Sequence, residues 1–221
     1  MTIEYTGSLQ GSVRKHTEAT LRETFVNAYV VLPEAGGAPK VGLLNEFANE
    51  TASHPTVVFM HGSSGVNAQI KTFAYWLADA LRVAVVIPDS MQTKDRLIYS
   101  SPVPAADYED VHGMRLAELN YAMRELKNVP WCDGRVIIAG TSEGGVTAAR
   151  YKPEEGMIAE KGRMIFSWSC EDNYHVASHN SYLPDMLPVL NVMSATDKFF
   201  SQVNSYLDNP SALGHAGKVL A

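Results

Sequence analysis

Residues 135–150 read RVIIAGTSEGGVTAAR, in which an apolar run leads into Gly140-Thr141-Ser142-Glu143-Gly144 and then into an alanine-rich run. Val136, Ile137, Ile138 and Ala139 show no apolar–polar alternation, the pattern of a strand buried on both faces of a parallel sheet, while Val146 to Arg150 begins a helix. A serine held on a sharp turn from strand to helix needs neighbours with almost no side chain, because the flanking backbones pass close together. Gly140 and Gly144 meet that need and Gly145 adds room, so Ser142 is the candidate nucleophile. The competing reading is an ordinary glycine-rich turn in which Ser142 caps a helix.

The flanking chain repeats this rhythm. Thr56 to Met60 and Val83 to Ile87 read as strands with a helix from about Ala68 to Leu81 between them, and a second helix runs from about Tyr108 to Leu126. Strands follow at Arg163 to Trp168 and Pro188 to Met193. Such alternation specifies a mostly parallel central sheet with helices on both faces. Phe25 to Leu32 alternates as a strand and pairs with Val41 to Leu44 across a Gly/Pro turn, as an antiparallel edge. In the second helix Met114, Leu116, Ala117, Leu119, Ala122, Met123 and Leu126 form the packing stripe. Arg115, Glu118, Arg124 and Glu125 lie between them, and His112 reads as a structural histidine near the helix start. With no linker-like stretch, the expectation is a single domain over residues 1–221.

Composition removes several function classes. Hydrophobic residues make up 46% and charged residues 19% of the chain, a balance that supports a folded core and argues against disorder. Eighteen basic against 24 acidic residues give a net charge of -6 and no polybasic run, so no nucleic-acid partner is expected. Apolar runs are strand-sized and the N-terminus has no signal-type core, so no membrane association and a cytoplasmic location are expected. Cys132 and Cys170 lack CxxC partners and predict neither a disulfide framework nor a zinc site. Oligomeric state, a homo-oligomer included, is left open.

Reactive groups in an open parallel sheet collect past the carboxyl ends of the strands. One such end carries His61-Gly62-Ser63-Ser64-Gly65. Acyl transfer builds negative charge on a carbonyl oxygen, which two pre-fixed backbone N–H groups stabilise, one from such a loop and one from the residue after the nucleophile. The candidates are the amides of Ser63 and Glu143; the plainer reading is a tight turn with His61 packed beneath it. The strand ending Met193-Ser194-Ala195-Thr196-Asp197 delivers a carboxylate after the nucleophile in chain order, so Asp197 is the candidate acid, with helix capping as its alternative.

Strand-HGSSG, strand-GTSEGG-helix and strand-ATDKFF, in that order over about residues 25 to 208, resemble an α/β-hydrolase, and more closely the dienelactone-hydrolase-like branch. The resemblance implies hydrolysis of a small ester or lactone-like acyl bond with no cofactor. Dienelactone hydrolases proper carry cysteine where this chain has Ser142. The family's histidine follows a last strand, whereas no apolar strand precedes His215 here. Two endings stay open: His215 takes the catalytic place through a shortened terminus, or the chain stops before the last strand and its base. His175 and His179 fall in a loop after a strand, where they line the pocket or, as the alternative, substitute for the base; His16 and His54 read as solvated. The irregular stretch Asp89 to Asp107 reads as part of the substrate entrance, with Tyr99 and Tyr108 setting specificity. Rival readings are a non-catalytic small-molecule binding protein of the same fold and, more remotely, a nucleotide-binding protein, for which GTSEGG lacks the phosphate-loop lysine.

Overall fold

A computed structural model describes residues 5–172 and 175–194. Helix α1 (Glu18–Val26) leads into the main sheet, whose strands are β2 (Tyr29–Leu32), β3 (Lys40–Leu43), β4 (His54–Met60), β5 (Ala84–Ile87), β7 (Cys132–Thr141), β8 (Glu160–Phe166) and β9 (Val189–Val192). Helix α2 (Ala68–Leu81) joins β4 to β5, α3 (Ala105–Glu125) precedes β7 and α4 (Glu143–Arg150) follows it. The spatial order is β3-β2-β5-β4-β7-β8-β9, with β2 antiparallel to β3 and β5 and every later pairing parallel. The fold is therefore α/β with a mostly parallel sheet, as the alternation of elements predicts.

Both faces of the sheet are packed. Along β4, Val57 and Phe59 point to one side and meet Ile70, Ala74, Leu77 and Ala78 of α2. Val58 and Met60 point to the other and meet Leu119 and Met123 of α3 and Val146 and Ala149 of α4. This period-2 partition is why the central strands read as unbroken apolar runs. No described helix is long and apolar enough to cross a membrane.

Two local expectations are corrected. Phe25 and Val26 do not belong to a strand: a capping box between Thr17 and Thr20 starts α1, which runs through them. The antiparallel edge pair is present as expected, with β3 outermost and β2 between β3 and β5. In α3, Arg115 and Glu118, placed between the packing residues, are themselves packed inward at 0% and 1% exposed, whereas Leu116 and Ala117 of the expected stripe are only half-buried. The helix turns its charged pair inward, below the carboxyl end of the sheet.

Outside the main sheet, β1 (Ser8–Gln10) pairs antiparallel with β6 (Ile98–Ser100), so part of the irregular 89–107 stretch is strand after all, in a separate two-stranded ribbon. The chain goes from β4 outward to β5 and then returns across β4 to β7. That reversal places a crevice between the carboxyl ends of β4 and β7, where such sheets bind ligands.

Candidate active site

Ser142 stands directly at that reversal. It occupies the turn between β7 and α4 with φ 53° and ψ -116°, a conformation that a side-chain-bearing residue holds only at a cost of about 1–3 kcal/mol. The surroundings enforce it: its N–H donates to the Phe166 carbonyl at 2.9 Å, and its own carbonyl accepts from Val146 N–H at 3.0 Å. The neighbouring glycines supply space rather than strain. A Cβ on Gly140 would sit 2.0 Å from the Gly144 carbonyl oxygen, and one on Gly144 would sit 1.9 Å from that of Met60. The strain is thus carried by the serine itself.

The HGSSG turn lies against this elbow, since Met60 pairs with Gly140 across the sheet and a Cβ on Gly62 would come within 3.5 Å of the Ser142 Cβ. The turn is closed by Gly65 N–H donating to the Gly62 carbonyl at 3.1 Å. Asn67 then caps α2 by accepting from Ile70 N–H at 3.0 Å. His61 is packed beneath. Its Nδ1 donates to the Gly62 carbonyl at 2.7 Å, which leaves Nε2 to accept the Ser90 N–H at 3.1 Å. Burial, reinforced by the Arg115 charge, lowers this imidazole to about 3, so it is a neutral strut for the turn.

A cavity of about 500 Å³ opens over these residues, lined by Ser63, Ser142, Tyr99, His112, Trp168 and His175 among others. Tyr99 therefore faces the cavity as expected, and burial together with the Glu143 carboxylate holds its phenol well above the usual range. Tyr108 does not line it. Its hydroxyl donates to Ser101 Oγ at 2.8 Å and accepts from Val103 N–H at 3.2 Å, bracing the wall from behind while its ring packs edge-on against Tyr99.

Two histidines meet at the cavity wall. His112 Nε2 donates to the His175 carbonyl at 3.0 Å, which is the structural role expected of it, yet its ring also faces the cavity. Burial, then the charge of Arg150, lowers His112; burial, then His112, lowers His175 to about 4. The His175 loop is pinned to α3 and α4. Arg150 pairs with both carboxylate oxygens of Glu109 at 2.7 and 3.0 Å and donates to the His179 carbonyl at 3.2 Å, and Glu109 accepts from Ala177 N–H at 2.8 Å. His179 itself turns to Asp172, 2.8 Å away.

Beneath the elbow lies a charged cluster that the sequence reading missed. Glu143, nominated only for its amide, buries its carboxylate against Arg96 at 2.6 Å and Arg115 at 3.3 Å. Glu118 accepts from Ser90 Oγ at 2.5 Å and pairs with Arg115 and with His16, whose Nε2 is 2.7 Å away. Burial opposes ionisation of Glu118, but Arg115 and His16 overcome it and hold the carboxyl at about 2. His16 is consequently not solvated, and His54 is half-buried with its imidazole lowered by that burial. One signal was available: an acid next to a nucleophile, at the start of a buried helix, needs a buried cation.

Ser142, Ser63 and Glu143 are thus brought together, while Asp197 and His215 lie outside the described residues. Neither Cys132 nor Cys170 is disulfide-bonded. Among the described residues no group of three or more His, Cys, Asp or Glu is placed to hold a metal ion.

No protein-family profile and no curated protein sequence matches the chain. Among solved structures it is similar to a putative dienelactone hydrolase from Klebsiella pneumoniae, at 13% identity over 96% of this chain and 84% of that one, with a TM-score of 0.48. It is also similar to the LpqC poly(3-hydroxybutyrate) depolymerase from Bordetella parapertussis, at 16% identity over 78% and 66% of the two chains, TM-score 0.43. With the esterase LipW from Mycobacterium marinum the identity is 16%, the TM-score 0.33 and the coverage 67% of this chain, which spans about half the length (47%) of that esterase.

Proposed function

Taking the α/β-hydrolase fold as premise, we propose that this protein is a serine hydrolase that cleaves a small ester or related acyl substrate through an acyl-enzyme. The observation that carries the reading is the forced backbone of Ser142, φ 53°, at the mouth of a cavity shared with the HGSSG turn. A strand-to-helix turn held in this conformation presents the serine to the cavity, as a nucleophile requires.

In this reading Ser142 Oγ attacks the ester carbonyl carbon and passes its proton to an imidazole, for which His215 is the candidate, with Asp197 orienting it. Charge gathers on the carbonyl oxygen and is received by the Ser63 and Glu143 amides. Glu143 is the first residue of α4, so its N–H has no acceptor within the helix and is free for this use. One such donor is worth roughly 10²–10³-fold in kcat. Collapse expels the alcohol, whose oxygen takes the proton from the imidazolium. Water then attacks the acyl-serine, giving a proton to the same imidazole, which returns it to Ser142 Oγ as the acid leaves.

Labelling with a fluorophosphonate probe, which requires an activated serine, tests the proposal together with turnover of short p-nitrophenyl esters. The expected result is labelling at Ser142 and a loss of roughly 10³-fold or more in kcat for Ser142→Ala. Labelling that survives Ser142→Ala, or esters cleaved equally well by that variant, refutes the assignment. A Ser142 that resists the probe in the natural chain places the protein in the non-catalytic binding class.

A further inference from the structure

We propose that Arg115 is a positioning residue for this reaction, holding the two oxyanion donors at a fixed separation through one closed, buried ring of charged and polar side chains. The inference rests on the hydrolase reading for its purpose, but its geometry stands alone. The Arg115 guanidinium is fully buried and reaches three elements. It donates to Glu118 on its own helix and, at 3.1 Å, to the carbonyl of His61, where the HGSSG turn begins; its Nε lies 3.3 Å from Glu143 Oε1, directly after the nucleophile.

The ring closes by a second route. Glu118 Oε1 accepts from Ser90 Oγ at 2.5 Å, Ser90 Oγ accepts from Arg96 Nε at 2.6 Å, and Arg96 donates to Glu143 Oε1 at 2.6 Å. Ser90 also holds the turn through its backbone N–H on His61. Both donors are therefore tied to the same ring, the Ser63 amide through His61 and the Glu143 amide through its own side chain.

Stability does not account for such a ring. Two arginines and two glutamates balance in charge, yet taking four ions out of water costs as much as their pairing returns, and apolar residues of similar volume commonly serve as well. What apolar residues cannot supply is direction. A planar guanidinium with five N–H donors fixes the positions of several acceptors at once.

The test compares the parent protein with the double variant Arg115→Met/Glu118→Met, which removes one cation and one anion, leaves the Arg96–Glu143 pair and leaves His16 with its Thr20 partner. Arg115→Met alone strands a buried carboxylate and risks unfolding. The first readout is amide hydrogen exchange at Gly65 and Val146, whose N–H groups close the HGSSG turn and the elbow. Both are expected to exchange roughly tenfold faster or more in the folded double variant, with the interior amides of β4 and β7 unchanged. The second is the kinetic split: kcat for p-nitrophenyl esters falls roughly 10²-fold while KM stays within about twofold, since donors displaced by a fraction of an ångström fail the transition state more than the ground state. Unchanged exchange at either amide overturns the ring's positioning role whatever the activity, and a matched rise in KM without a fall in kcat overturns its part in the oxyanion site. If the parent is inactive, the hydrolase reading fails and the exchange measurement still decides the positioning claim.

Discussion

Replacing Gly144 by alanine adds one methyl group at the point where the elbow touches the strand beneath the HGSSG turn. The new Cβ would lie 1.9 Å from the Met60 carbonyl oxygen, 2.5 Å from its carbon and 2.8 Å from the His61 carbonyl oxygen. A carbon–oxygen contact settles near 3.3 Å, so the backbones must separate by roughly 1.4 Å (3.3 less 1.9). The obstacle is main chain in the central strand β4, which no rotamer change can relieve. Overpacking of this kind costs about 1–3 kcal/mol, or roughly 2–12 °C in Tm for a chain of this size. The same shift drives the Ser63 and Glu143 amides apart and should lower ester turnover about 10²-fold. Gly113→Ala is the matched control. Gly113 is exposed in the interior of α3, its φ is not positive and an added methyl would meet nothing within 4 Å, so alanine should stabilise by about 0.5–1 kcal/mol. Thermal melts and p-nitrophenyl ester kinetics on the two variants decide the matter. Gly144→Ala with parental Tm and parental turnover would refute the close approach of elbow and strand.

Stability should fall on acidification from pH 6.5. His61 titrates near 6.5 when unfolded and at about 3 when folded, because burial and Arg115 disfavour its charge. The unfolded chain therefore binds a proton first, and the stability present above pH 6.5 is lost towards pH 3 at about 1.4 kcal/mol per pH unit for this one group. His175, lowered to about 4, acts in the same sense, and Glu118 adds a further loss between its ordinary value of 4.5 and about 2. Urea unfolding at pH 7.0 and pH 5.5 checks this, and equal stability at the two would contradict the neutral, buried His61. At the other end of the chain, Thr17→Ala removes the side-chain half of the α1 capping box and should cost about 1 kcal/mol, measured as a lower urea midpoint with unchanged turnover.

Much of the scaffold was legible because local patterns and tertiary demands agreed there. The α2 span of Ala68–Leu81 follows from apolar spacing alone, and β4, β5, β7, β8 and β9 follow from apolar runs bounded by turn residues. The pattern misled where two periods coincide. Phe25-Val26-Asn27-Ala28 alternates like the strand that follows it, but the Thr17 cap several residues earlier had already committed Phe25 and Val26 to a helix. In α3, Arg115 and Glu118 carry polar names at positions that face inward, and hydrophobicity cannot reveal that two charges will neutralise one another.

The chemistry divides along the same line. Glycines that permit contact and a serine between them are local requirements, so Ser142, Gly140, Gly144 and the HGSSG turn could be read from residue order. Which distant groups would reach that elbow depends on long-range placement. His16, Ser90, Arg96, Arg115 and Glu118 come from three well-separated stretches of chain, α3 among them, and meet only because the fold packs those stretches together beneath the elbow. Sequence therefore determined the strand-to-helix elbow, since its cause lies within a few bonds of the serine. Only the tertiary structure decided which buried charges surround it, since a charge is tolerated in the interior according to the partners that the fold brings within about 3 Å.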